Sequence, residues 1–129
     1  MKINKTVKKA TKIVTAGSGR LYVSTTFNNT IVTVTNEKGD AIAWSSSGNM
    51  GYKGTREATP FAATQAVETA LKKAREVGVN TVEVFIKGPG VGRDAALRAV
   101  RGSGMSISMI ADITPIPHNG PRQKKRRRV

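Results

Sequence analysis

The sequence has no cysteine in its 129 residues. That excludes a disulfide frame and any thiolate metal site. Histidine is nearly absent too. His118 stands alone, without a carboxylate cluster, so a metal centre lacks its ligand set. Acids are scarce: eight Asp and Glu stand against 22 Lys and Arg, for a net charge of +14. No apolar run is long enough to cross a bilayer. The N-terminal stretch has lysines but no apolar core, and Arg20 is its only arginine. It reads neither as a secretory signal nor as a transit peptide. The expectation is a cytosolic protein of one domain, with a modest core and no cofactor.

The positive charge is unevenly placed. Residues 1–20 hold six cations (Lys2, Lys5, Lys8, Lys9, Lys12 and Arg20) and no acid. Residues 121–129 hold six more (Arg122, Lys124, Lys125, Arg126, Arg127 and Arg128), again with no acid. Between them, ten cations face eight acids. A balanced body flanked by two basic arms suits a module whose extensions reach along a polyanion. Neither arm has the apolar face of an interfacial helix, so no membrane partner is expected. Pro115, Pro117 and Pro121 forbid a helix and bias the tail toward an extended path. Like charges with nothing apolar to bury become ordered only against dense negative charge, commonly a phosphate backbone. A nuclear-localisation or solubility tail is the competing reading. The expected division is a flexible basic arm over 1–17, a folded domain over 18–114 and an extended basic tail over 115–129.

Along the body, Leu21, Val23 and Phe27 fall on one face of an extended run, with Tyr22, Ser24 and Thr26 on the other. Asn28 and Asn29 offer a turn. Residues 30–35 are all Thr, Ile or Val, hence strand. Residues 36–40 turn the chain with a glycine, and 41–46 make a third strand. Thr59-Pro60 is a helix start, an N-cap hydroxyl followed by proline at the first helical position. Ala62, Ala63, Ala66, Val67, Ala70, Leu71 and Ala74 then form one apolar stripe, which Gly78 ends. Val82, Val84 and Ile86 alternate in a fourth strand. Residues 94–101 read as a short helix. Met105, Ile107, Met109, Ala111 and Ile113 lie at period two in a fifth strand. The fold class is therefore α/β (α+β), in the order βββ-α-β-α-β. It predicts a mixed five-stranded sheet with helices packed on it and basic extensions at both ends.

Several segments carry candidate chemistry. Residues 45–56 form a long irregular stretch of serines and glycines with Lys53 and Arg56, suited to backbone N–H groups approaching an anion. Residues 88–93 lie between a strand and a helix N-terminus, where glycine N–H groups and the helix dipole favour an anion. A plain tight connection is the alternative there. Asn28 and Asn29 are turn residues or base contacts. Trp44 reads as core in preference to a stacking platform. Asn119-Gly120 is a turn and also the pair most prone to succinimide formation. Two-metal phosphoryl chemistry needs several converging carboxylates, and residues 20–27 contain none. No Ser/His/Asp constellation exists either, so no enzyme is expected. A metal-dependent nuclease of related fold and a free-standing nucleic-acid chaperone are the rival readings.

The segments at 27–32 (FNNTIV), 44–48 (WSSSG), 51–56 (GYKGTR), 59–63 (TPFAA), 87–93 (KGPGVGR) and 117–120 (PHNG), with the Lys/Arg end, resemble the small-subunit ribosomal protein S-eleven family. The likeness runs in order, at family spacing, from about residue 17 to the last residue. The tail is similar to the bacterial and plastid branch. The resemblance implies a ribonuclease-H-like sheet without catalytic acids. It implies a place in the platform of the small ribosomal subunit, bound to small-subunit rRNA and near the mRNA and Shine-Dalgarno path. Family neighbours are the proteins S-six, S-seven, S-eighteen and S-twenty-one; a homo-oligomer is not expected. Carried over by position, the RNA-binding residues are Asn28, Asn29, Ser45, Ser46, Ser47, Gly48, Lys53, Gly54, Thr55, Arg56, Lys87, Gly88, Gly90, Gly92 and Arg93. In the tail they are His118, Asn119, Gly120, Arg122, Lys124, Lys125, Arg126, Arg127 and Arg128. The sequence departs from the family at Pro121, where a cysteine is usual, and at Gln123-Lys124, where two prolines are usual. Glu57 stands where a cation is common.

Overall fold

The structure is a computed structural model that describes residues 17–128. The basic arm expected over 1–17 lies outside the described residues, apart from Gly17. The elements are β1 (Ser18–Thr25), β2 (Thr30–Thr35), β3 (Ala41–Ser46), α1 (Pro60–Val77), β4 (Thr81–Lys87), α2 (Gly92–Gly102) and β5 (Ser106–Asp112). A short 3-10 helix, Gly54–Ala58, lies in the long loop before α1.

The strands form one sheet in the order β3-β2-β1-β4-β5. β1, β2 and β3 make an antiparallel meander, whereas β4 and β5 run parallel to β1. The chain chemistry explains the switch. The Asn36 side chain accepts the N–H groups of Lys38 and Asp40, both at 2.9 Å, and Gly39 takes a positive φ of 98°. That tight turn reverses β2 into β3. The helical crossovers instead return the chain to its original direction. The result is the ribonuclease-H-like arrangement.

Alternation sends Leu21, Val23, Val32, Val34, Val82 and Val84 to one face, where all are buried. α1 lies over β2 and β3. Its buried stripe is Ala62, Ala63, Ala66, Val67, Ala70, Leu71 and Ala74, mostly alanine, so its backbone approaches the sheet closely. β3 answers with small buried residues, Ala43 and Ser45. The helix begins where Thr59 Oγ1 accepts the Ala62 N–H at 3.3 Å. It ends at Gly78, whose φ of 116° is left-handed.

Three expectations are corrected. Trp44 is not core: it is 56% exposed, because β3 turns Ala43 and Ser45 toward α1 and Trp44 to the open face of the sheet. Phe27 does not continue the buried face of β1. The strand ends at Thr25, which takes the last buried position, and Phe27 is 77% exposed in the turn beyond. In β5 the register slips by one residue. Val82 pairs with Ile107 but Glu83 pairs with Met109, so Met109 and Ala111 turn to the open face beside Glu83 and Phe85. That face also carries the stacked rings of Tyr22 and Phe85, 5.2 Å apart, and the Arg20–Glu83 ion pair at 3.7 Å.

Gly17 lies at the end of the sheet where β1 and β4 begin; its carbonyl accepts the N–H groups of Asn80 and Thr81. The basic tail leaves from the other end, after β5.

Candidate nucleic-acid interface

Because β1, β4 and β5 are parallel, their carboxyl ends share one rim. β2 starts and β3 finishes there too. Hydrogen bonds tie the rim segments together. Ser47 N–H donates to Thr30 O at 3.0 Å, Gly90 N–H to Thr25 Oγ1 at 3.1 Å, and Gly88 N–H to Thr114 Oγ1 at 3.1 Å. Both helices start at this rim. A Cβ added to Gly92, the first residue of α2, would lie 2.9 Å from Ala63 Cβ in the first turn of α1. The positive ends of two helix dipoles therefore point to the same side, and Val91 supplies no side-chain cap to α2.

The β1–β2 turn holds Asn28 and Asn29. Asn29 is partly committed: its Oδ1 accepts Thr30 N–H at 2.8 Å and its carbonyl accepts Thr26 N–H at 2.8 Å. Asn28 is exposed beside Phe27. Phe27 stands at this rim and not on the buried face of β1, because the strand ends at Thr25, ahead of the turn pair.

The serine stretch divides. Ser45 and Ser46 finish β3 instead of opening a loop. Ser45 and Ser47 are fully buried, and their hydroxyls have no hydrogen-bond partner among the described residues. The geometry thus separates both hydroxyls from the exposed candidates. Ser46 Oγ accepts Asn49 N–H at 3.1 Å, and Gly48 is exposed. Beyond them Lys53, Gly54, Thr55 and Arg56 are all exposed. Lys53 and Arg56 line an open cleft of about 410 Å³ with Met50, Gly51 and Tyr52.

The turn at 88–93 resolves toward a tight connection. The Gly88 and Gly90 N–H groups are already spent on Thr114 and Thr25. Close approach is what requires glycine here. A Cβ on Gly88 would lie 1.9 Å from Thr25 O, and one on Gly90 would lie 2.5 Å from Thr26 O. Gly92 is buried and Lys87 is exposed.

Arg93 is likewise engaged within the chain. Its guanidinium donates to Gly88 O at 2.8 Å and to Asp112 Oδ2 at 2.7 Å. Asp112 Oδ1 accepts the Thr114 hydroxyl at 2.6 Å and the Thr114 N–H at 3.0 Å. The Thr114 hydroxyl, then the Arg93 guanidinium, then the Thr114 N–H hold the Asp112 carboxyl well below the usual carboxylate range.

The tail follows. Residues 115–128 are outside regular structure and exposed, including His118, Gly120 and the six cations Arg122, Lys124, Lys125, Arg126, Arg127 and Arg128. Asn119 adopts a left-handed φ of 60°, which asparagine tolerates. No group of three or more His, Cys, Asp or Glu that could hold a metal exists among the described residues.

Fold and rim together define a ribonuclease-H-like module whose loop end gathers exposed cations, two helix N-termini and a basic extension. Its family is settled by comparison. The family model described as ribosomal protein S11 matches residues 19–128, and the chain belongs to that family. It is 57% identical, over 113 residues, to the small ribosomal subunit protein uS11 of Borreliella burgdorferi (strain ZS7). The match covers 88% of this chain and 87% of that protein. The same identity and coverage hold for the protein of that name from Borreliella afzelii (strain PKo).

Proposed function

We propose that this protein is a non-catalytic structural constituent of the small ribosomal subunit that binds small-subunit rRNA and supports translation in the cytoplasm. The observation that carries the reading is the convergence of Lys53, Arg56, Lys87, both helix starts and the basic tail on one rim, in a chain of the ribosomal protein S11 family. The mechanism is charge neutralisation. The folded body fixes the origin of the cationic segments, and the rim loops read RNA shape. Arginine predominates in the last basic run, where its fork can pair with phosphate bidentately. The place in the subunit is the platform, near the mRNA and Shine-Dalgarno path. The neighbours are the proteins S-six, S-seven, S-eighteen and S-twenty-one, and the chain acts as a single copy. The absence of carboxylates over residues 20–27 argues against a nuclease.

The test is deletion of residues 121–129 and measurement of RNA binding across a salt series. Each lost phosphate contact should flatten the slope of log K against log salt by roughly 0.7 to 0.9. An unchanged slope would remove the tail from the RNA.

A further inference from the structure

We propose that Arg93 and Asp112 are positioning residues: they fix the direction in which the basic tail leaves the sheet, and Arg93 does so without touching phosphate itself. The inference rests on the reading that the tail binds RNA.

The tail has no packing of its own, since residues 115–128 are exposed. Its direction is therefore set by the last residues that are tied down. Those ties form a clamp. Ile113 N–H donates to Ile86 O at 2.8 Å, which extends the β4–β5 ladder one residue past the strand. The Thr114 hydroxyl is used three times, accepting Gly88 N–H at 3.1 Å and the Arg93 guanidinium at 3.5 Å and donating to Asp112 Oδ1 at 2.6 Å. Arg93 closes the arrangement from the first turn of α2, bridging Gly88 O at 2.8 Å and Asp112 Oδ2 at 2.7 Å. A planar fork spans two acceptors from separate nitrogens in this way; a lysine has one nitrogen and no fixed fork. Pro115 and Pro117 follow at once and keep the chain extended, so the clamped direction is carried outward.

Charge alone does not explain Asp112. A carboxylate at the root of a phosphate-seeking tail repels the ligand, so removing it should tighten binding. Its value lies in geometry. A tail aimed before contact loses less freedom on binding than one that must be ordered at that moment. The two accounts give opposite signs, which makes them separable.

The experiment uses the full chain and small-subunit RNA, with Asp112→Asn, Arg93→Gln and Arg93→Lys. Urea unfolding of each variant establishes that it is folded. Binding is expected to weaken roughly three- to tenfold, with the salt slope unchanged. Because the chain has no native cysteine, Gln123→Cys can carry a tethered hydroxyl-radical source. RNA cleavage should be localised in the otherwise unaltered chain and diffuse in the clamp variants. Arg93→Lys keeps the charge and loses the fork, so it should give the diffuse pattern even if the other two variants fail to fold. Tighter binding by Asp112→Asn, or localised cleavage in any folded variant, overturns the clamp. So does a drop in salt slope of roughly 0.7 to 0.9 in Arg93→Gln, which would make Arg93 a phosphate contact. If deletion of residues 121–129 leaves binding and slope unchanged, the RNA-binding tail fails first and the clamp with it. If deletion weakens binding while the clamp variants match the unaltered chain, the clamp alone fails.

Discussion

The Thr25 hydroxyl accepts the Gly90 N–H at 3.1 Å, joining two residues 65 positions apart. This bond draws the β4–α2 turn down onto the end of β1, and it makes the turn's glycines steric requirements.

Substitution should follow that ranking. A Cβ on Gly88 meets Thr25 O at 1.9 Å, and the residue's φ is +99°. Gly39 also has a positive φ, +98°, but open space around it. Gly39→Ala should cost about 1–2 kcal/mol, the left-handed penalty alone. Gly88→Ala should cost more than about 3 kcal/mol, because backbone must also move. Urea unfolding of the two variants checks the order. Equal costs would mean that the turn can lift away from β1 freely.

Ser45→Ala and Ser47→Ala should be neutral or stabilising, by up to about 1 kcal/mol, since each removes a buried hydroxyl with no partner among the described residues. RNA affinity should not change. A measurable loss of affinity in either variant would return these residues to the interface.

Asp112 should impose a small acid dependence on stability. Its pKa is depressed in the folded chain from an ordinary 3.8. Its contribution is therefore complete at neutral pH and declines as pH falls below about 5 through the unfolded value. The gap in unfolding free energy between the unaltered chain and Asp112→Asn should be constant from pH 6 to 8 and narrow below pH 4. The Arg93 and Asp112 side chains are 34% and 52% exposed, so the gap is small and shrinks in high salt.

Phe27→Ala should leave stability within about 0.5 kcal/mol of the original, because the ring is largely exposed. RNA binding should weaken by about 1–3 kcal/mol, the worth of one base–aromatic stack. Trp44→Ala, on the open face of the sheet and outside the rim loops, should leave RNA binding unchanged. Its intrinsic fluorescence offers a direct check: emission should already be solvent-shifted in the free protein and insensitive to RNA.

The fold was legible because local signals agreed with one another. The β-branched run at 30–35, period two in 81–87, the Thr59-Pro60 start and the Gly78 stop each define an element without help from distant residues. What the sequence hid depends on pairing between segments. The slip in β5 arises from its register with β4, and nothing in residues 106–112 announces it. Trp44 deceived because residue type points inward while strand parity, fixed by the alanine-rich helix above it, points outward. The rim was legible as a set of segments, and the bonds that tie those segments together were not. Gly88, Gly90 and Arg93 look like anion ligands in one dimension, whereas Thr25, Thr114 and Asp112 claim their donors only once the chain is folded.

Gly17 and the tail lie at opposite ends of the sheet, and β1 alone spans eight residues, or roughly 25 Å at the usual strand rise. A purification handle placed ahead of residue 1 is connected to the body through Gly17, on the side away from the rim, and leaves the tail's own end unaltered. The same handle fused behind residue 129 would extend the basic tail itself, and its affinities would describe the handle as much as the protein.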